Sequence, residues 1–221
     1  MYSFAQRIDT AVVDEPLYGH YLKVTDADHP GKEEILSNTE TDGNKVIQNI
    51  ISGDYEKNIV LFKQMTHHLT GLDESFLELI TNVLLIRDPE YIIVSLAKVL
   101  KNVKIRDTGI IKQYQIYKKL TSLNKKPVII DSGEILKDPE KALRSLCNVL
   151  EIPFDSNMLS WKAGKRKEDG IWAKYWYENV HQSTGFQKIN TAYRKMPDEL
   201  LPLYDECKPY YEELSAESIR V

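Results

Sequence analysis

Short apolar runs alternate with amphipathic stretches along this chain, and that alternation sets its expected architecture. Thr10 to Val13, Ile59 to Met65, Val83 to Ile86 and Val128 to Asp131 read as strands. Val83 to Ile86 is wholly apolar, as expected of a strand buried on both faces of a parallel sheet. Leu17 to Val24, Lys45 to Ile51, Ser75 to Ile80 and Ile110 to Leu123 carry the pattern of helices. Asp88-Pro89 and Asp138-Pro139 are helix starts: a carboxylate cap, then a residue whose missing N–H costs nothing in the first turn. The second of these helices is predicted to reach Leu150, and Pro197 to Leu214 to form a terminal helix kinked near Pro202 or Pro209. The Gly, Asp, Asn and Thr residues from Thr25 to Asn44 predict loop. Strands alternating with helices imply a parallel, layered α/β fold.

Composition narrows the function classes. The 221 residues suit one α/β domain, and 42% hydrophobic content supplies a sizeable core. A net charge of −4 argues against general nucleic-acid binding, which needs a basic excess. Cys147 and Cys207 are too few and too far apart for a disulfide framework or a zinc site. No apolar stretch reaches transmembrane length and no signal peptide opens the chain, so a cytoplasmic protein without membrane association is expected.

Four polar segments carry candidate chemistry. Arg87 and Asp88 sit at the carboxyl end of the Val83 strand, the edge where open α/β sheets bind ligands, and Ser95 lies on the second turn of the next helix. Arginine, helix N-terminus and hydroxyl so placed suit a phosphate. In Phe62-Lys63-Gln64-Met65-Thr66-His67-His68, a continued strand puts Lys63, Met65 and His67 on one face and His68 on the other. The His-His pair has no carboxylate or cysteine at ligand spacing, so no metal site is expected. Leu159 to Tyr177 is rich in Trp, Lys, Gly and Tyr and reads as a ligand-covering segment rather than core, with Trp161, Trp172 and Trp176 flanking the run Lys165-Arg166-Lys167. In Val12-Val13-Asp14-Glu15-Pro16-Leu17-Tyr18-Gly19-His20-Tyr21, polar and aromatic residues follow a strand, with Asp14 or Glu15 also available to cap the next helix.

The run from Asn82 to Ser95 resembles the 3′-phosphate-binding segment of sulfotransferases that use 3′-phosphoadenosine 5′-phosphosulfate. The resemblance implies that Arg87 and Ser95 hold the 3′-phosphate. The Lys63 to His68 stretch is similar to the family's Lys-Thr-His element, with three residues rather than one between the lysine and the first histidine. It implies His67 as general base and Lys63 as the group that neutralises charge on the transferring oxygens, His68 becoming the base if the strand is bulged. Ala163 to Trp172 resembles the family's Arg-Lys-Gly…Gly-Asp-Trp closing segment, which implies Arg166 and Lys167 as nucleotide contacts and residues 159–190 as the covering segment; Glu168 stands where the family has glycine. Val128 to Pro139 is similar to the family's strand, acidic turn and Asp-Pro helix start. By the same analogy Glu15, Tyr18 and His20 line the acceptor pocket.

These readings imply a single domain over 1–221 with the three-layer α/β/α, mainly parallel P-loop-type sulfotransferase fold. The expected activity is transfer of a sulfuryl group from 3′-phosphoadenosine 5′-phosphosulfate to the hydroxyl or amine of a small-molecule acceptor, without a metal. No segment matches G-x-x-x-x-G-K-[ST] or the family's phosphosulfate loop, so the expectation is a chain lacking the family's first strand and that loop, its activity open. The alternatives are an inactive nucleotide-binding or interaction module of the same fold, and a kinase-like phosphotransferase, which the missing Walker lysine disfavours.

Overall fold

In the computed structural model, which describes residues 1–187 and 196–221, β1 (Thr10–Asp14) and β2 (Ile59–Lys63) pair in parallel, with Thr10 beside Ile59 and Asp14 beside Lys63. They belong to a first unit formed by Met1–Phe76 with Asp155–Phe186. The helix Tyr18–Val24 buries five consecutive residues, Tyr18 to Leu22, so its first turns are enclosed on every side. Ala27, Ile35, Trp172, Ala173 and Tyr177 complete that core. The expected loop between Thr25 and Asn44 contains the helix Lys32–Asn38, which buries only Ile35. It starts at Gly31, whose φ of 74° suits glycine, and a Cβ there would lie 2.1 Å from the Tyr175 ring. The expected helix from Lys45 is a helical turn, Gly43–Val46, capped by Asp42 and continued by a wider turn, Ile47–Ile51.

Leu77–Phe154 and Gln187–Val221 form a second unit. Here β3 (Val83–Ile86) and β4 (Val128–Asp131) pair in parallel, Val83 beside Val128 and Ile86 beside Asp131. In β4 both Ile129 and Ile130 are buried, so that strand is covered on both faces. β3 departs from expectation: Leu84 and Ile86 are buried, while Val83 is 37% and Leu85 54% exposed. Both cap-and-proline starts form as expected. The Asp88 carboxylate accepts from Glu90 N at 2.9 Å and opens the helix Pro89–Leu96; the Asp138 carboxylate accepts from Lys141 N at 3.0 Å and opens Pro139–Val149. The latter buries Ala142, Leu143, Leu146 and Cys147. The terminal helix is Leu201–Ala216, with Pro202 in its first turn and Pro209 inside it. Beyond it, Ile219 N donates to Ile129 O at 2.8 Å, tying the following residues to β4.

Candidate functional site

The carboxyl end of β1 carries two acids, and the chain leaves the strand through Glu15 at φ 38°, a left-handed conformation uncommon for a side-chain-bearing residue. That turn brings Glu15 beside Lys63, at the end of β2. Lys63 Nζ pairs with Glu15 Oε1, lies 3.7 Å from Asp14 Oδ1 and donates to the Tyr177 hydroxyl at 2.9 Å. Burial lowers the Lys63 pKa to about 8, against the opposing charge of Asp14. The Asp14 carboxylate also accepts from the Tyr177 hydroxyl at 2.8 Å, from Trp172 Nε1 at 3.1 Å and from Gly170 N at 3.1 Å. Burial first, then the Asp14 charge, pushes the Tyr177 phenol well above its usual value. Neither acid caps the following helix, whose N-cap is Leu17 with no side-chain hydrogen bond.

β2 ends at Lys63, and His67 and His68 lie on a separate 3₁₀ turn, Thr66–Leu69. The strand alternation expected to sort them onto opposite faces therefore does not apply. His68 is 1% exposed; its ring stacks on Tyr18 at 4.8 Å and on Tyr21 at 4.9 Å, and its Nδ1 lies 4.0 Å from Glu15 Oε2. Burial, with the nearby His67, Lys63, His29 and His20, holds its pKa well below 6.5. His67 is 9% exposed and meets Tyr21 edge-on at 4.9 Å. The Tyr18 hydroxyl hydrogen-bonds His29 Nδ1 at 2.9 Å, and His20 Nε2 hydrogen-bonds Thr70 O at 2.9 Å. The first unit thus gathers Lys63, His67, His68, Glu15, Tyr18 and His20 around one buried network.

Arg166 and Lys167 belong to this unit without joining the network. Arg166 Nε reaches Glu168 at 3.4 Å and its guanidinium lies 5.5 Å from the Tyr2 ring, whereas Lys167 is solvent-exposed, 3.9 Å from Glu168. Trp172, Ala173 and Tyr177 are core residues, contrary to the expectation that Leu159 to Tyr177 stands apart from the core. Residues 188–190 of the expected covering segment lie outside the described residues.

The second unit holds Arg87 at the carboxyl end of β3, on a cleft of about 240 Å³ that Asp131, Tyr211 and Arg220 also line. Its guanidinium lies 5.5 Å from the Tyr91 ring. Ser95 is exposed on the helix Pro89–Leu96 and does not line that cleft. Among the described residues no group of His, Cys, Asp and Glu is arranged to hold a metal ion, and no helix is long and apolar enough to cross a membrane.

Residues 1–218 match the family of the sulfotransferase domain. The chain belongs to the sulfotransferase family. This sulfotransferase chain is 42% identical over 212 residues to branched-chain-amino-acid aminotransferase-like protein 2 of Arabidopsis thaliana, and 41% identical to that plant's aminotransferase-like protein 1. Both matches take in 96% of the chain and 38% of the relative, so the sulfotransferase chain spans under half the length of the curated relatives it matches. Among solved structures, the sulfotransferase domain from the curacin biosynthetic pathway is similar at a TM-score of 0.40 and 14% identity, over 93% of this chain and 79% of that one.

Three residues of the buried network escaped the sequence reading. Asp14 looked like a helix cap, Trp172 like a lid residue, and Tyr177 like the end of the covering segment. The available signal was an acid at the end of one strand and a lysine at the end of another, because paired parallel strands of equal length bring their last residues together.

Proposed function

We propose that this chain binds 3′-phosphoadenosine 5′-phosphosulfate and passes its sulfuryl group to the hydroxyl or amine of a small-molecule acceptor. In that transfer the acceptor atom bonds to sulfur as the bond from sulfur to the 5′-phosphate oxygen breaks. The acceptor's proton goes to an imidazole, and adenosine 3′,5′-bisphosphate leaves. His67 serves as the base, being less enclosed than His68, which is clamped between two tyrosines. Lys63 neutralises charge on the transferring oxygens. Arg87 takes the 3′-phosphate, Ser95 standing outside its cleft, and Arg166 and Lys167 are further nucleotide contacts.

The observation that carries this reading, within a sulfotransferase, is Arg87: among the described residues its guanidinium makes no hydrogen bond and no ion pair, at the ligand-binding end of a parallel strand. A second reading, binding without transfer, draws on Lys63, which Glu15 and Tyr177 already hold. Calorimetry and radiolabelled transfer test both. Adenosine 3′,5′-bisphosphate should bind without Mg²⁺ while ATP binds poorly, and Arg87→Ala should weaken the bisphosphate by about 1.5–3 kcal/mol, as for a lost hydrogen bond to a charged group. Unchanged binding to a folded Arg87→Ala protein would overturn the nucleotide assignment. Binding without sulfur-35 transfer to any component of a cell extract would select the second reading.

A further inference from the structure

The Arg87 cleft contains a second guanidinium that the family match does not reach. Arg220 lies beyond residue 218, where that match ends, yet it lines the cleft with Arg87. Its position is built. Ser218 is buried and its hydroxyl donates to Ser215 O at 2.8 Å, while Ile219 N donates to Ile129 O at 2.8 Å. These two bonds fold the residues after the terminal helix back along β4 and set Arg220 at the cleft.

The cleft's acids act on the two arginines through charge alone, Asp131 and Asp88 on Arg87 and Glu134 on Arg220, and each acid has a nearer partner. The Asp131 carboxylate accepts from the Tyr211 hydroxyl at 2.8 Å and from Gly133 N at 2.6 Å, and the Asp88 carboxylate caps its helix through Glu90 N. Glu134 pairs with Lys137, which lowers its pKa most, with a weaker contribution from Arg220. Among the described residues neither Arg87 nor Arg220 makes a hydrogen bond or an ion pair. The two guanidinium forks share this small cleft with Asp88, Asp131 and Glu134, and both present the donor geometry that matches phosphate oxygens. The volume of about 240 Å³ falls below the roughly 300–1,000 Å³ of pockets that enclose a whole small ligand, so the cleft suits one phosphate-bearing end.

We propose that Arg220 is a phosphate-binding residue, gripping the 3′-phosphate of the nucleotide from the side opposite Arg87. This rests on the reading of Arg87 as the 3′-phosphate site. The test is calorimetry of the parent protein, Arg220→Ala, Arg220→Gln and Arg87→Ala, titrated with adenosine 3′,5′-bisphosphate and with adenosine 5′-monophosphate, the fold of each variant checked by circular dichroism. Both Arg220 variants should bind the bisphosphate about tenfold or more weakly than the parent, as expected when a charge-assisted contact is lost, and bind the monophosphate as the parent does. Arg220 variants that keep parental affinity while Arg87→Ala loses it would overturn the inference and leave the Arg87 reading standing. Equal weakening toward both nucleotides would also overturn it, placing Arg220 on a different group. Failure of the parent, or of Arg87→Ala, to distinguish the two nucleotides as expected would overturn the Arg87 reading itself.

Discussion

Replacing Asp14 tests whether the buried network is what joins the 170–177 segment to the strand ends. Asp14→Ala removes the acceptor for Trp172 Nε1 and Gly170 N and the nearer acceptor of the Tyr177 hydroxyl, which keeps Glu15 Oε1 at 3.4 Å. Each stranded buried donor costs about 1–3 kcal/mol, so the two should cost about 2–6 kcal/mol. Against a typical total of roughly 5–15 kcal/mol, that is a large fraction of stability. Trp161, Trp172 and Trp176, all three tryptophans of the chain, lie in this unit, so their fluorescence in urea reports its unfolding. With a slope of about 2 kcal/mol per molar urea, the midpoint should fall by about 1–3 M. Asp14→Asn separates shape from charge. It keeps an acceptor oxygen but removes the charge 3.7 Å from Lys63 Nζ, an attraction of about 4 kcal/mol at an effective dielectric of about 20. The Lys63 pKa should then drop by at least a unit from about 8, read as the pH at which its amine begins to react with an acylating reagent. A midpoint unmoved in Asp14→Ala, or an unmoved Lys63 titration in Asp14→Asn, would refute the network as described.

Three further outcomes follow from the same unit. His67→Ala should lower sulfuryl transfer by about 10²–10⁴-fold, the usual share of a general base, with nucleotide affinity unchanged; loss confined to His68→Ala would move the base to the neighbouring ring. His68 has a folded pKa below its unfolded value of 6.5, so below that pH the unfolded chain binds more protons. Its share of stability is complete above pH 6.5 and declines by up to about 1.4 kcal/mol per unit as pH falls toward the folded pKa; His68→Gln should flatten the urea midpoint between pH 5 and 6.5 relative to the parent. Limited trypsin digestion should cut at exposed Lys167 and spare bonds near buried Ala173 and Tyr177, and nucleotide should protect Lys167; cleavage first at Lys174 would contradict the packed segment.

How legible these features were depended on how far apart in sequence the deciding residues lie. Strand runs and cap-and-proline signals are local, and β1, β3, β4 and the helices after Asp88 and Asp138 appear where the pattern put them. Which faces of a strand are covered is not local. Val83 to Ile86 is as apolar as a doubly buried strand, but Leu85 is 54% exposed, since an apolar run does not say what packs on each side. The helix Lys32–Asn38 was missed because its polar sequence buries one residue, Ile35. Ile59 to Met65 ran too long because apolar content continues after the backbone leaves β2 at Lys63. Arg87's place at the end of β3 was readable from the strand run before it. Asp14 was not, because Trp172 and Tyr177 stand 158 and 163 residues away.

The network at the ends of β1 and β2 runs against what stability alone would select. Glu15 holds a left-handed backbone at φ 38°, a conformation that costs a residue with a Cβ about 1–2 kcal/mol. Lys63 is desolvated enough to lose more than two pKa units, and a neutral His68 is buried with its Nδ1 facing a carboxylate at 4.0 Å, beyond hydrogen-bond reach. Apolar residues at Lys63 and His68 would avoid the two desolvation costs, because a buried ion pair rarely repays its desolvation, and glycine at position 15 would avoid the backbone cost. Helix capping does not require the arrangement either: the helix that follows takes no side-chain cap from Asp14 or Glu15. Strain, a shifted lysine and an imidazole kept neutral therefore coincide at the ligand-binding edge of a parallel strand pair, where local rules are most often broken for chemistry. The second acid, Glu15, ties the pieces together: its carboxylate pairs with Lys63 and stands 3.4 Å from the Tyr177 hydroxyl as a second, longer acceptor.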